Sequence, residues 1–278
     1  MNASKKSIYI NPHTGFGFKT IFGNEKNKEL LISFINSVLK GYEVIKDLIC
    51  LNPNKFDTDT SNAFEYYCRN KQDEYILVEI QRGNPLSLKS NSLYYSCYPI
   101  QIQRKKDIKS IYIINVSNFI FDSSYENNYF HEVKLIDTTT KDCFYNELTF
   151  IYLEMPKFNK RENELRDMFD KWLFVLRNLS RLMSRPEALQ ERVFTKLFEA
   201  AEIAKFTKEQ YEAYEDSLKV YRDWKNTIET AELKAEKKGR IKGKMEEKKE
   251  MAQKMLQRGF SLDDIAAITN LQLPLKNN

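Results

Sequence analysis

The acidic residues that invite a chemical reading lie in one stretch, Ala63-Phe-Glu-Tyr-Tyr-Cys-Arg-Asn-Lys-Gln-Asp-Glu-Tyr-Ile-Leu-Val-Glu-Ile-Gln81. It reads as a β-hairpin turning at Asn70-Lys-Gln-Asp73. Side chains alternate along a strand, so Glu79 and Gln81 share a face with Leu77, and Glu65 on the preceding strand meets them if the register allows. Within Ile76-Leu-Val-Glu-Ile80, Glu79 would be buried, and an unpaired carboxylate in low dielectric costs several kcal/mol. A divalent cation offsets that cost. Two carboxylates, a backbone carbonyl and waters are the oxygen donors that Mg²⁺ takes. The same spacing also fits a strand carboxylate paired with Lys71, Arg82 or a helix lysine, with Glu65 facing solvent at a sheet edge. Spacing alone leaves both readings open.

Other chemistries fall away for want of residues. Cys50, Cys68, Cys97 and Cys143 are too far apart for a zinc ribbon or a Cys-x-x-Cys pair, and read as small buried hydrophobes without disulfides. His131-Glu132 opens like a zinc-hydrolase helix, but Leu135 stands where the second histidine belongs. Neither a Gly-x-Ser-x-Gly elbow nor a phosphate-binding Gly-x-x-x-x-Gly-Lys loop occurs, and Gly15-Phe-Gly17 follows no strand. No run reaches the ~20 apolar residues that span a bilayer. Met1 to Ile10 lack the apolar segment of a secretory signal, so the expected compartment is cytoplasmic and the Asn-x-Ser triplets at Asn2, Asn115 and Asn178 carry no glycan.

The elements that must position the hairpin follow from periodicity. Asn24 can cap a helix through Leu30, Leu31, Phe34, Ile35, Val38 and Leu39, which Gly41 stops. Val44 to Leu51, Ala63 to Cys68, Tyr75 to Ile80 and Ile111 to Val116 read as strands. Leu86 to Lys106 is long enough for a crossover helix, kinked by Pro99. Further strands at Phe130 to Ile136 and Phe144 to Leu153 complete a mixed sheet with helices packed on it.

After Pro156 the period becomes helical. Leu165 to Met183 form one amphipathic helix that Pro186 ends, and Val193, Leu197, Ala201 and Ala204 mark a second. Thr207 with Gln210 is a capping box opening a third, and Ser261-Leu-Asp-Asp264 caps a last short unit stopped near Asn270. The formal charge of +5 is carried entirely between Lys225 and Arg258, where eleven Lys/Arg face six Asp/Glu. Three regions are expected: 1–156 with the sheet, 157–232 helical, and 233–278 a basic helical tail.

Several blocks in order resemble the PD-(D/E)XK nuclease-family transposases, the recombination-promoting nuclease family. They are Asn11-Pro-His-Thr-Gly-Phe-Gly-Phe-Lys19 with the helix after it, Phe64-Glu-Tyr-Tyr-Cys68, Val78-Glu-Ile-Gln81, Leu93-Tyr-Tyr-Ser-Cys-Tyr-Pro-Ile-Gln-Ile-Gln103, and Met255-Leu-Gln-Arg-Gly-Phe-Ser-Leu-Asp-Asp264. The resemblance implies an α/β, restriction-endonuclease-like mixed sheet flanked by helices, followed by an all-helical C-terminal region with a long protruding helix. It implies a metal-dependent DNA endonuclease acting in recombination or in defence against mobile elements. Carried over by position, Glu65 and Glu79 would ligate Mg²⁺ or Mn²⁺ with the carbonyl of Ile80, and Gln81 would place the attacking water.

The chain departs from that pattern at Gly15, where an Asp usually precedes Phe-Gly-Phe-Lys; at Glu65, where Asp is usual; and at Asn91, where an Arg opens the Tyr-Tyr helix. These departures imply an alternative, a catalytically silent member that binds DNA or a protein. DNA contacts would come from Lys19, Arg82, Lys89, Arg104, Lys105 and Lys106, of which the last three equally make a solvated helix face. Ile241, Met245, Ala252, Met255 and Leu256 leave a weak apolar stripe through which a homodimer could form.

Overall fold

The computed structural model describes residues 7–42, 44–51, 66–81, 87–103 and 108–271, leaving aside the side chains of 81 and 232. The chain divides into two units, Met1–Tyr221 and Arg222–Asn278.

The first unit is built on a six-stranded mixed sheet. Strands β1 (Leu48–Leu51), β2 (Tyr66–Asn70) and β3 (Tyr75–Gln81) form an antiparallel meander. β4 (Ile111–Ser117) lies parallel to β3, β6 (Cys143–Glu154) parallel to β4, and β5 (Phe130–Ile136) closes the far edge antiparallel to β6, giving the order β1-β2-β3-β4-β6-β5. Parallel neighbours need a crossover. Between β3 and β4 that crossover is helix α3 (Leu88–Ile102), with Pro99 inside it. It is shorter than the Leu86 to Lys106 read from sequence, and Leu86 and 104–106 lie outside the described residues.

One face of the sheet carries Tyr66, Cys68, Ile76, Val78, Ile80, Tyr112, Ile114, Val116, Ile151 and Leu153, and it packs into the main core. The helices on that side are α1 (Gly15–Phe22), α2 (Lys28–Val38), α4 (Met168–Asn178) and α5 (Arg192–Ala201). Trp172 of α4 is fully buried against Phe22, Phe34 and Phe194 and donates its indole N–H to Ser33 Oγ at 3.1 Å. Helices α4 and α5 thus share one core with the sheet.

Helix α1 was not expected. Its glycines argue against helix on propensity, but Thr14 caps it by accepting from the Gly17 amide at 2.9 Å. A Cβ at Gly17 would collide with the carbonyl oxygen of Asn11, so the close approach of the Asn11 turn to the helix demands a glycine there. Asn24 caps a short 3-10 turn, Glu25–Asn27, that leads into α2 rather than capping α2 itself, and Gly41 follows with φ +85. The helix foreseen from Leu165 to Met183 starts only at Met168, because Asp167 accepts from the Asp170 amide at 2.9 Å, and it tightens to a 3-10 turn at Leu179–Arg181.

Helix α6 (Lys208–Gln257) opens on the capping box foreseen in sequence. Thr207 N–H donates to Gln210 Oε1 at 3.0 Å and Gln210 N–H to Thr207 Oγ1 at 3.3 Å. Its first part is tied to α1: Tyr214 accepts from the Asn11 amide and Ser217 from the Phe16 amide, each at 3.0 Å.

In the second unit α6 is followed by α7 (Leu262–Thr269), capped by Ser261, which accepts from Asp264 N–H at 3.1 Å. Asn270 stops it in the left-handed region at φ 53. Ala252, Ile265 and Thr269 are buried.

The expectation of four buried cysteines is corrected. Cys68 is buried, but Cys50, Cys97 and Cys143 are exposed. Cys50 lies on the edge strand, Cys97 on the outward side of α3, and Cys143 where the β5–β6 hairpin extends past the core.

Candidate active site

Opposed residues of parallel, in-register strands share a face. Glu79, Asn115 and Tyr152 therefore form one row across β3, β4 and β6, on the side away from the main core. One step toward the sheet centre the row is apolar, Leu77, Ile113 and Phe150; one step toward the strand ends it is Gln81, Ser117 and Glu154. The C-terminal ends of three parallel strands thus turn polar together, the place where α/β sheets receive ligands.

Helix α3 covers this face. Ser92, fully buried, donates to the Leu88 carbonyl at 2.9 Å and accepts from Asn115 Nδ2 at 3.2 Å. Glu79 is 5% exposed and Asn115 0%. Asn115 Oδ1 and Ser117 Oγ have no hydrogen-bond partner among the described residues. Burial pushes the Tyr95 hydroxyl of α3 above its usual range, and the charge of Glu79 adds to it. Burial likewise raises Tyr152; a hydrogen bond with Ser92 opposes this and Glu79 reinforces it. The carboxylate of Glu79 is thus felt by tyrosines from both the helix and the sheet.

At the end of β6, Glu154 is 0% exposed yet charged. Burial pushes its carboxyl up, but Lys157 at 2.5 Å, His131 Nε2 at 2.9 Å and the amides of Asp122 at 3.1 Å and Phe121 at 2.6 Å together hold it below the usual range. These bonds fasten the loop after β4 onto the edge of the polar rows. Exposed Lys89 sits over the Phe121 ring, 5.8 Å from its centroid.

Of the residues named from sequence, Glu79 is buried in the polar row. Ile80 points its side chain into the opposite, core face, leaving only its carbonyl as a donor. Gln81 is the last residue of β3, level with Ser117. Glu65 lies outside the described residues, as do Arg82, Arg104, Lys105 and Lys106. Lys19 is exposed, on α1. Gly15 is the first residue of α1, and Asn91 lies half-buried in α3.

Sequence reading missed Ser92, Asn115, Tyr152 and the Glu154 cluster. The available signal was a pair of polar residues, Asn115 and Ser117, inside the apolar run of β4; Asn115 drew notice only as the start of a glycosylation triplet. Among the described residues no group of three His, Cys, Asp or Glu gathers as a metal cluster. The donors at this row are all oxygens, namely the Glu79 carboxylate, the Asn115 carboxamide and the main-chain carbonyls. That chemistry suits a hard cation such as Mg²⁺ or Mn²⁺ rather than zinc.

A mixed sheet flanked by helices, with a buried acid among polar residues at the ends of its parallel strands, defines a restriction-endonuclease-like protein. The family model described as PD-(D/E)XK nuclease family transposase matches residues 12–231, and the chain belongs to that family. Neither a curated protein nor a solved structure matches the chain. Among the described residues no helix is long and apolar enough to cross a membrane.

Proposed function

We propose that the protein is a metal-dependent DNA endonuclease of the recombination-promoting type, hydrolysing phosphodiesters of recombining or invading DNA. The observation that carries this reading is the burial of Glu79 among oxygen donors at the polar strand ends of a chain in this family. Glu79, the Ile80 carbonyl and Glu65 would hold Mg²⁺ or Mn²⁺. When bound, such an ion supplies charge stabilisation at the phosphate and a more acidic water. The amide of Gln81 can orient the attacking water but, being neutral, cannot take its proton. The test is nicking of a supercoiled plasmid with Mg²⁺ or Mn²⁺. Wild type is expected to cut and Glu79→Gln not; equal activity or equal inertness of the two overturns the assignment.

The near-complete cover of Glu79 by α3, together with Gly15, Glu65 and Asn91, favours a second reading, a silent member that binds DNA or protein. Salt-dependent DNA affinity without metal binding by calorimetry would favour it over the first. Pairing of two copies through the tail belongs to the same proposal and is checked by light scattering.

A further inference from the structure

Cys50 and Cys68 stand directly opposite each other on the antiparallel strands β1 and β2. Their Sγ atoms are 3.2 Å apart. Opposed residues of antiparallel strands have Cα atoms about 4.5–5.5 Å apart, inside the ~4.4–6.8 Å that disulfides span. The backbone thus already holds the two at bridging distance, and the sulfurs need only close on each other. From this geometry we propose that Cys50 and Cys68 form a redox modification site, a reversible disulfide that staples the edge strand to the hairpin carrying Glu79.

The two thiols are unequal in the way a two-cysteine site requires. Cys50 is exposed, on an edge strand, where an oxidant can reach it; Cys68 is buried beneath. The hydrogen bond from Cys68 brings the Cys50 thiol down to about 7, against burial and the charge of Glu25, with Lys28 helping. That shift favours the Cys50 thiolate, the nucleophilic form. The same hydrogen bond, then burial and the charge of Cys50, keeps Cys68 protonated. The Cys97 thiol donates to the Leu93 carbonyl, and the Cys143 thiol to the carbonyls of Leu135 and Tyr145.

With hydrogen peroxide as oxidant, the Cys50 thiolate attacks one peroxide oxygen. An S–O bond forms, the O–O bond breaks, and the departing hydroxide takes a proton to become water. Cys68 sulfur then attacks the sulfur of the Cys50 sulfenic acid. The S–S bond forms, the S–O bond breaks, and the released hydroxide leaves as water with the Cys68 proton. Two thiols are oxidised by two electrons and one peroxide is reduced to two waters. A thiol such as dithiothreitol reverses the bridge by exchange.

The test uses the folded full-length chain and does not depend on nuclease activity. It is treated with one equivalent of peroxide, alkylated in denaturant and digested with trypsin; cleavage at Lys55 puts the two cysteines on separate peptides. The expected result is a 50–68 linked peptide pair, abolished by dithiothreitol, with Cys97 and Cys143 still alkylated. Cys50→Ser, an exposed and well-tolerated change, should leave Cys68 reduced, and Cys68→Ala should stop Cys50 at a dimedone-reactive sulfenic acid. Four alkylated cysteines after treatment, linkage only between chains, or oxidation of Cys97 and Cys143 ahead of Cys50 would each overturn the proposal.

Discussion

Glu79 and Asn115 are opposite partners on the parallel strands β3 and β4, and both are sealed beneath α3 on the face that turns away from the main core. A carboxylate and a carboxamide side by side in a central sheet are costly placements. Their cost has different consequences at each position of the polar rows.

Glu79→Gln keeps the volume of the side chain and removes its charge. Glu79 interacts with neighbouring groups, so the neutral isostere forfeits charge-assisted contacts and is expected to cost about 1–3 kcal/mol. Urea unfolding at neutral pH measures this, and a gain in stability would mean that burial of the charge outweighs its contacts.

Ser117→Ala tests the neighbouring row. The Ser117 hydroxyl is buried without a hydrogen-bond partner among the described residues, so its removal is expected to stabilise by about 0.5–1 kcal/mol. Thermal melts of the two proteins decide the sign.

Glu154→Gln should do the opposite. It leaves Lys157, its side chain only 3% exposed, without a counter-charge, and breaking a buried pair costs about 3–5 kcal/mol. The folded state holds the Glu154 carboxyl below its usual range, so the stabilisation is present above the ordinary glutamate range, near pH 4.3 or so, and is lost as pH falls through the lower folded value. Unfolding free energies from pH 7 down to pH 3 should show wild type and variant converging at the acid end.

Gly17 and Gly239 make a matched pair. Gly17→Ala drives a methyl into the Asn11 carbonyl and is expected to cost more than about 2 kcal/mol through displacement of α1. Gly239 sits in α6 with nothing within 4 Å of a new Cβ, so Gly239→Ala should raise helix stability by about 0.5–1 kcal/mol. Circular dichroism melts distinguish the two effects.

Where order is written locally, reading the chain succeeds. Phe130 to Ile136 is the strand observed, Tyr75 to Ile80 and Ile111 to Val116 fall one residue short, and the caps at Thr207 and Ser261 form as their side chains dictate. Short-range hydrogen bonds and side-chain alternation act over a few residues and leave their mark in sequence. Helix α1 escaped because packing and the tight Asn11 turn, not propensity, hold it in place.

By itself, then, the sequence determined the family likeness, the strand runs and Glu79 as an acid inside an apolar strand. Tertiary structure alone decided that Asn115 and Tyr152 stand level with Glu79, that Ser92 covers them, that Glu154 gathers His131 and Lys157, and that Cys50 touches Cys68. Apart from Lys157, three residues after Glu154, those neighbours come from elements well separated in the chain. Their register is set by which faces the whole sheet must bury, a global balance that no local pattern encodes.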